Sequence, residues 1–178
     1  MNFAVFQAGW FACVLAAARG HSWAGIAVVA AIALGHVAMA PNSRAELTLL
    51  AAAAVIGAIF DTALAMTGWI RYAGGAANLA PPWIVAMWVL FATTLNISLA
   101  WIKSRPFAAI ALGAVGGPLA YLAGERLGAL WFDERGVALL TLAVGWGVVT
   151  PVLCTIARHA NGFAPASANS AANGAWRA

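Results

Sequence analysis

Long apolar stretches alternate with short polar breaks along this chain, and the breaks define its architecture. They fall at Arg19-Gly20-His21, Pro41-Asn42-Ser43-Arg44, Arg71 to Pro82, Lys103-Ser104-Arg105-Pro106 and Gly124 to Gly136. Between them lie six apolar spans, roughly 2–18, 23–40, 46–70, 83–102, 107–123 and 137–157. A helix rising about 1.5 Å per residue crosses a hydrocarbon core about 30 Å thick in about 17 to 25 residues, and it satisfies its own backbone hydrogen bonds in lipid. The strict alternation that would build a membrane barrel is absent. Residues 1 to 18 are read as a helix and not a cleaved signal, because Met1 to Phe6 carry no positive charge ahead of the apolar run. The predicted fold is therefore all-α: a polytopic membrane protein, a six-helix transmembrane bundle forming one domain over 1–159. A tail over 160–178, rich in Ala, Asn, Ser and Gly, is expected to be disordered.

Tryptophan placement tests these borders, since the indole ring prefers the boundary between hydrocarbon and head groups. Trp23, Trp69, Trp83, Trp101 and Trp131 fall at or beside predicted ends. Trp10, Trp88 and Trp146 do not, and are expected to be helix-packing or lipid-facing bulk.

Composition agrees with this pattern. The chain has 178 residues, 64% apolar and 8% charged, with mean hydropathy +0.89, against roughly 25% charged residues in soluble domains. A net charge of +4 comes from scattered residues, no two adjacent, which suits anionic membrane lipids as partners and not nucleic acid. Cys13 and Cys154 sit inside apolar runs without metal-like spacing. If both termini share a side, that side holds Arg44, Lys103, Arg105, Arg158 and Arg177, against Arg19, Arg71, Arg126 and Arg135 opposite. This slight excess orients the termini toward the cytoplasm.

Ionisable groups inside a span are costly and mark candidate sites. Asp61 lies near mid-membrane, on a stripe of small residues made by Ala53, Gly57, Ala65 and Gly68 that lets another helix come close. It is expected to point into the bundle, within a polar cluster containing Tyr121 and either Arg19 or Arg126. Glu125 shares a helix face with Tyr121, whereas Arg126, its neighbour in sequence, diverges from it. On the opposite membrane half fall His36, Asn96 and Lys103, with Thr93, Asn96 and Lys103 on one stripe. The ligand-binding candidates are thus Asp61, Tyr121, Glu125, Arg126, Arg19 and Asn96. A structural carboxylate bonded to polar neighbours is the plainer account of Asp61, and close packing the plainer account of the glycines at 113, 117 and 124. No hydrolase, protease or nucleotide-binding motif occurs, and His21, His36 and His159 lie on separate segments. No metal and no cofactor is expected.

Three segments carry a resemblance: Ala80-Pro81-Pro82-Trp83, Trp88 to Asn96, and Gly116-Gly117-Pro118-Leu119-Ala120-Tyr121-Leu122-Ala123-Gly124. In them the chain resembles a family of small bacterial polytopic inner-membrane proteins catalogued only as a domain of unknown function. The similarity covers nearly everything before the tail. It implies a multi-helix protein of the bacterial inner (cytoplasmic) membrane and an association with lipid-modifying enzymes such as cyclopropane-fatty-acid synthases. No activity or catalytic residue is carried over.

The expectation is an integral inner-membrane protein that binds or handles a lipid or hydrophobic small molecule in a polar-lined cleft near Asp61, alone, as a homo-oligomer, or with a membrane partner subunit. Two alternatives stand beside it. In a small proton-coupled carrier Asp61 would titrate. In a membrane enzyme of lipid modification Asp61 or Glu125 would be the acid–base group, and Arg126 or Arg19 would hold a phosphate.

Overall fold

The computed structural model describes residues 1–76 and 78–164. Six α-helices follow the predicted spans: α1 Asn2–Ala18, α2 Ser22–Met39, α3 Ser43–Thr67, α4 Pro82–Leu95, α5 Pro106–Arg126 and α6 Arg135–His159. Four of them, α2, α3, α5 and α6, are long and apolar enough to cross a membrane, while α1 and α4 are shorter. The chain is an all-α membrane protein.

Local chemistry explains most of the helix ends. Asn42 caps α3, its side chain accepting from Ala45 N–H at 3.2 Å. Gly68 ends the same helix in the left-handed region, at φ 73°, which a glycine adopts without a steric penalty. Pro82 and Pro106 open α4 and α5, where the missing N–H would have had no helical partner.

The fourth span departs from expectation. In place of one helix over 83–102, α4 stops at Leu95 and a turn leads into a 3-10 segment, Ala100–Ser104. Thr93 and Thr94 turn their hydroxyls back onto the carbonyls of Leu90 and Phe91, at 2.7 and 2.6 Å, and Leu99 N–H folds back on Thr94 C=O at 2.8 Å. Irregular backbone at membrane depth is tolerated when protein surrounds it, and α4 is surrounded: it packs against α1, α2, α3 and α6. Its inward face carries Trp83, Ile84, Trp88 and Leu90, all buried. Trp83 is consequently a core residue, 1% exposed, and not the interfacial anchor its position predicted. Trp23, Trp101 and Trp131 are exposed.

Two short strands, β1 Ile70–Tyr72 and β2 Leu130–Phe132, join the α3–α4 and α5–α6 connections as an antiparallel ribbon, with Arg71 opposite Trp131. The ribbon was not expected. Its alternation is only three residues per strand, with Ile70 and Tyr72 turned inward and Arg71 outward. Arg71 clasps Asp133 through two bonds of 2.6 and 2.8 Å, and this holds the Asp133 carboxyl below the usual carboxylate range. A depressed carboxyl stabilises above its unfolded pKa, so this clasp is lost as pH falls through the folded value. Glu125 pairs with Arg135 near the same end.

The tail also differs from expectation at its start. Residues 160–164, placed in the disordered segment by composition, are packed: Asn42 N–H donates to Gly162 C=O at 3.0 Å, and the Phe163 ring lies 5.1 Å from the His36 ring. Backbone polar groups, which composition does not register, make this attachment. The remainder of the expected tail, 165–178, lies outside the described residues.

Candidate functional site

Asp61 sits on the inward face of α3 and is fully buried. Three donors converge on it. The hydroxyls of Tyr72 and Tyr121 reach Oδ1 at 2.6 and 2.5 Å, and the Trp88 indole N–H reaches Oδ2 at 2.6 Å. A carboxylate has only acceptors to offer, and all three bonds use them. Each donor comes from a different element: Tyr72 from β1, Trp88 from α4, Tyr121 from α5. The ribbon therefore has a structural task, which is to bring Tyr72 back over the end of α3.

Trp88 can approach because Gly57, one turn before Asp61, leaves its space. A Cβ there would lie 2.1 Å from Trp88 Cγ. The indole then stacks on Trp146 of α6, with centroids 4.3 Å apart and planes within 14°. Gly117 of α5 leaves corresponding room for Trp146.

These tryptophans form part of the wall of a cleft of about 460 Å³ between α1, α4, α5 and α6. Phe3, Phe6, Trp10 and Phe11 line it from α1, Trp88 and Phe91 from α4, and Gly113, Gly116, Gly117 and Ala120 from α5. Polar lining is sparse: Gln7, Thr94, Tyr121 and Thr150 among mostly apolar neighbours. The expected polar cleft is thus an apolar one. Asp61 does not line it; it stands behind the wall and orients two residues, Trp88 and Tyr121, that do.

Two polar atoms of this wall are buried without a hydrogen-bond partner among the described residues, Trp146 Nε1 and Thr150 Oγ1. The indole nitrogen lies near the Tyr121 hydroxyl but completes no bond. An unpaired buried hydroxyl costs about 1–3 kcal/mol. Thr150→Val, which keeps the shape and removes the hydroxyl, is expected to stabilise the protein by about 1 kcal/mol in thermal unfolding; a clear loss would mean that the hydroxyl has a partner.

A second buried acid lies at the other end of α3. Glu46, fully buried, accepts from Asn96 Nδ2 at 2.6 Å and from Gly162 N–H at 2.8 Å through Oε1, and pairs through Oε2 with His36 Nε2 at 2.8 Å. Asn96 also donates to Ala160 C=O at 3.0 Å and accepts from Lys103 Nζ at 2.6 Å. The irregular segment after α4 positions Asn96 for these bonds, and this cluster is what seats 160–164.

The expected site residues therefore separate. Asp61 and Tyr121 come together. Arg19 and Arg126 are exposed at helix ends and make no bond to Asp61, because tyrosine and tryptophan donors already occupy its oxygens. Glu125 is engaged by Arg135, and Asn96 belongs to the Glu46 cluster. Sequence reasoning missed Glu46, read only as a helix border, along with Tyr72 and the role of Trp88. Glu46 was hidden by its position in the first turn of α3, where an acid is ordinary against the helix dipole. His36, ten residues earlier across one tight turn, was the available signal.

A family model described as "Protein of unknown function (DUF2878)" matches residues 1–152. The chain belongs to this family. The DUF2878 match takes in both buried acids, the three donors to Asp61, and all the cleft-lining residues, while residues 160–164 lie beyond it. No curated protein and no solved structure matches the chain.

Proposed function

We propose that this protein, in the inner membrane of a bacterium, holds the acyl chain of a lipid in the cleft between α1, α4, α5 and α6. The observation that carries the reading is the cleft itself. Its volume, about 460 Å³, falls in the range of small-molecule sites. Its α5 wall runs from Leu112 to Gly124, about 18 Å along a helix axis, slightly more than one leaflet of hydrocarbon about 15 Å deep. Aromatic rings and glycines make a smooth, nearly uncharged surface suited to a methylene chain. The bundle of apolar helices favours an inner membrane, since outer-membrane spans are closed barrels.

The acid at Asp61 favours holding over acid–base chemistry. It is sealed from the cleft, and its two oxygens already serve three donors. Its work is positional: it keeps the Trp88 indole and the Tyr121 ring in the wall.

Gly116 provides the test. It lines the cleft, and a Cβ built there meets nothing within 4 Å, so Gly116→Leu fills the cavity without disturbing helix packing. Wild type purified in nanodiscs and released for native mass spectrometry is expected to retain lipid, and Gly116→Leu to lose most of it at unchanged thermal stability. Equal retention by the two proteins would refute the reading.

A further inference from the structure

We propose that the lipid held in the cleft carries an anionic phosphate headgroup, and that Arg19 and Arg126 bind that phosphate; this rests on the acyl-chain reading above. The ribbon end of the cleft is walled by Val14 of α1 and Gly124 of α5. Arg19 is the residue that ends α1, and Arg126 is the last residue of α5. The two ends come together: a Cβ at Gly128, just past α5, would lie 3.9 Å from the Ala18 side chain. Both arginines are exposed. Among the described residues neither makes an ion pair or a side-chain hydrogen bond, whereas Arg71 and Arg135 at the same end are taken by Asp133 and Glu125. Two unengaged arginines thus stand within two turns of the last lining residues of α1 and α5, at the ribbon end of an apolar cleft whose lining carries no charged side chain.

The chemistry follows from that juxtaposition. A guanidinium offers a planar fork of donors that matches two phosphate oxygens, and two forks at one mouth suit a phosphodiester whose acyl chain extends along the cleft. A helix-end arginine also complements the helix dipole, but that role discriminates between no lipids. A free phosphate would satisfy the same forks without using the channel.

The test is lipid selection by the intact protein. In nanodiscs of equal phosphatidylglycerol and diglucosyldiacylglycerol, a neutral glycolipid without phosphate, wild type is expected to release a retained fraction enriched about tenfold in phosphatidylglycerol, the ratio one charge-assisted hydrogen bond supports. In Arg19→Gln/Arg126→Gln the enrichment should fall to near one while total retained lipid stays the same. An enrichment unchanged in that double variant overturns the headgroup assignment and leaves the cleft reading intact. Loss of the cleft reading has its own signature, full lipid retention by Gly116→Leu. Arg44→Gln, an exposed arginine at the opposite end, should leave the ratio unaltered, and an equal drop there would reduce the effect to general surface charge. Millimolar inorganic phosphate should not displace the lipid; displacement would make this a free-phosphate site and overturn the proposal.

Discussion

Alanine at Asp61 is expected to destabilise the bundle by roughly 3–5 kcal/mol, the largest effect of any single change near the cleft. The substitution strands two tyrosine hydroxyls and one indole N–H in a site closed to water, and each orphaned donor costs about 1–3 kcal/mol. The sum is reduced because the hydroxyls can rotate toward other acceptors, whereas the indole cannot. Asp61→Asn is not an innocent control. An asparagine has one acceptor oxygen where the carboxylate has two, so its amide must face either the indole N–H or the pair of hydroxyls. It should fall between wild type and alanine in denaturant unfolding of the detergent-solubilised protein. An asparagine variant as stable as wild type would show that the second oxygen contributes nothing, against the three-donor geometry.

The second large effect is at Glu46. Glu46→Ala removes the partner of His36 and the acceptor of both Asn96 and Gly162 N–H, and breaking a buried pair from one side costs about 3–5 kcal/mol. It should also free residues 160–164, so proteolysis just beyond His159 should accelerate. Glu46→Gln distinguishes charge from connectivity. Its oxygen still accepts from Asn96 and Gly162, and its amide can donate to His36 Nε2, because Nδ1 has no partner and is free to carry the ring proton. That variant is expected to cost about 1–2 kcal/mol, because all three bonds lose their charge assistance while the buried charge that they offset is removed as well, and to keep the segment protected. A glutamine variant as unstable as alanine would mean that the ionic pair, and not the hydrogen-bond set, holds this end.

The two clusters divide the labour along one helix. Glu46 and Asp61 are fifteen residues apart on α3, about 22 Å at 1.5 Å per residue. One binds the end of the bundle where the start of α1, the α4 turn and residues 160–164 meet. The other binds the ribbon to the cleft wall. Between them the helix presents Ala53 and Gly57 to the tryptophan side of α4. A single transmembrane helix thus anchors both ends of the fold through buried acids, each enclosed by donors from at least three separate segments.

The helices themselves were legible in the sequence, since a residue's preference for lipid over water is a local property and sums along a span. Five of the six lie within a few residues of their predicted borders, α4 stopping short of its own, and Asp61 was recognisable because a carboxylate has no inexpensive place in a hydrocarbon layer. Its pairing with Tyr121 followed from depth alone, because helices of known direction put both groups in one membrane half. Depth says nothing about which donor arrives first, and that decided the rest. Arg19 and Arg126 end their helices too far out, while Trp88 arrives because Gly57 concedes its side-chain volume and Tyr72 arrives because a two-strand ribbon turns it inward. The stop of α4 at Leu95, the burial of Trp83 and Glu46, and the seating of Gly162 likewise depend on neighbours distant in the chain. Local hydropathy determined what enters the membrane; side-chain volume and hydrogen-bond saturation, which exist only once helices pack, determined which groups meet there.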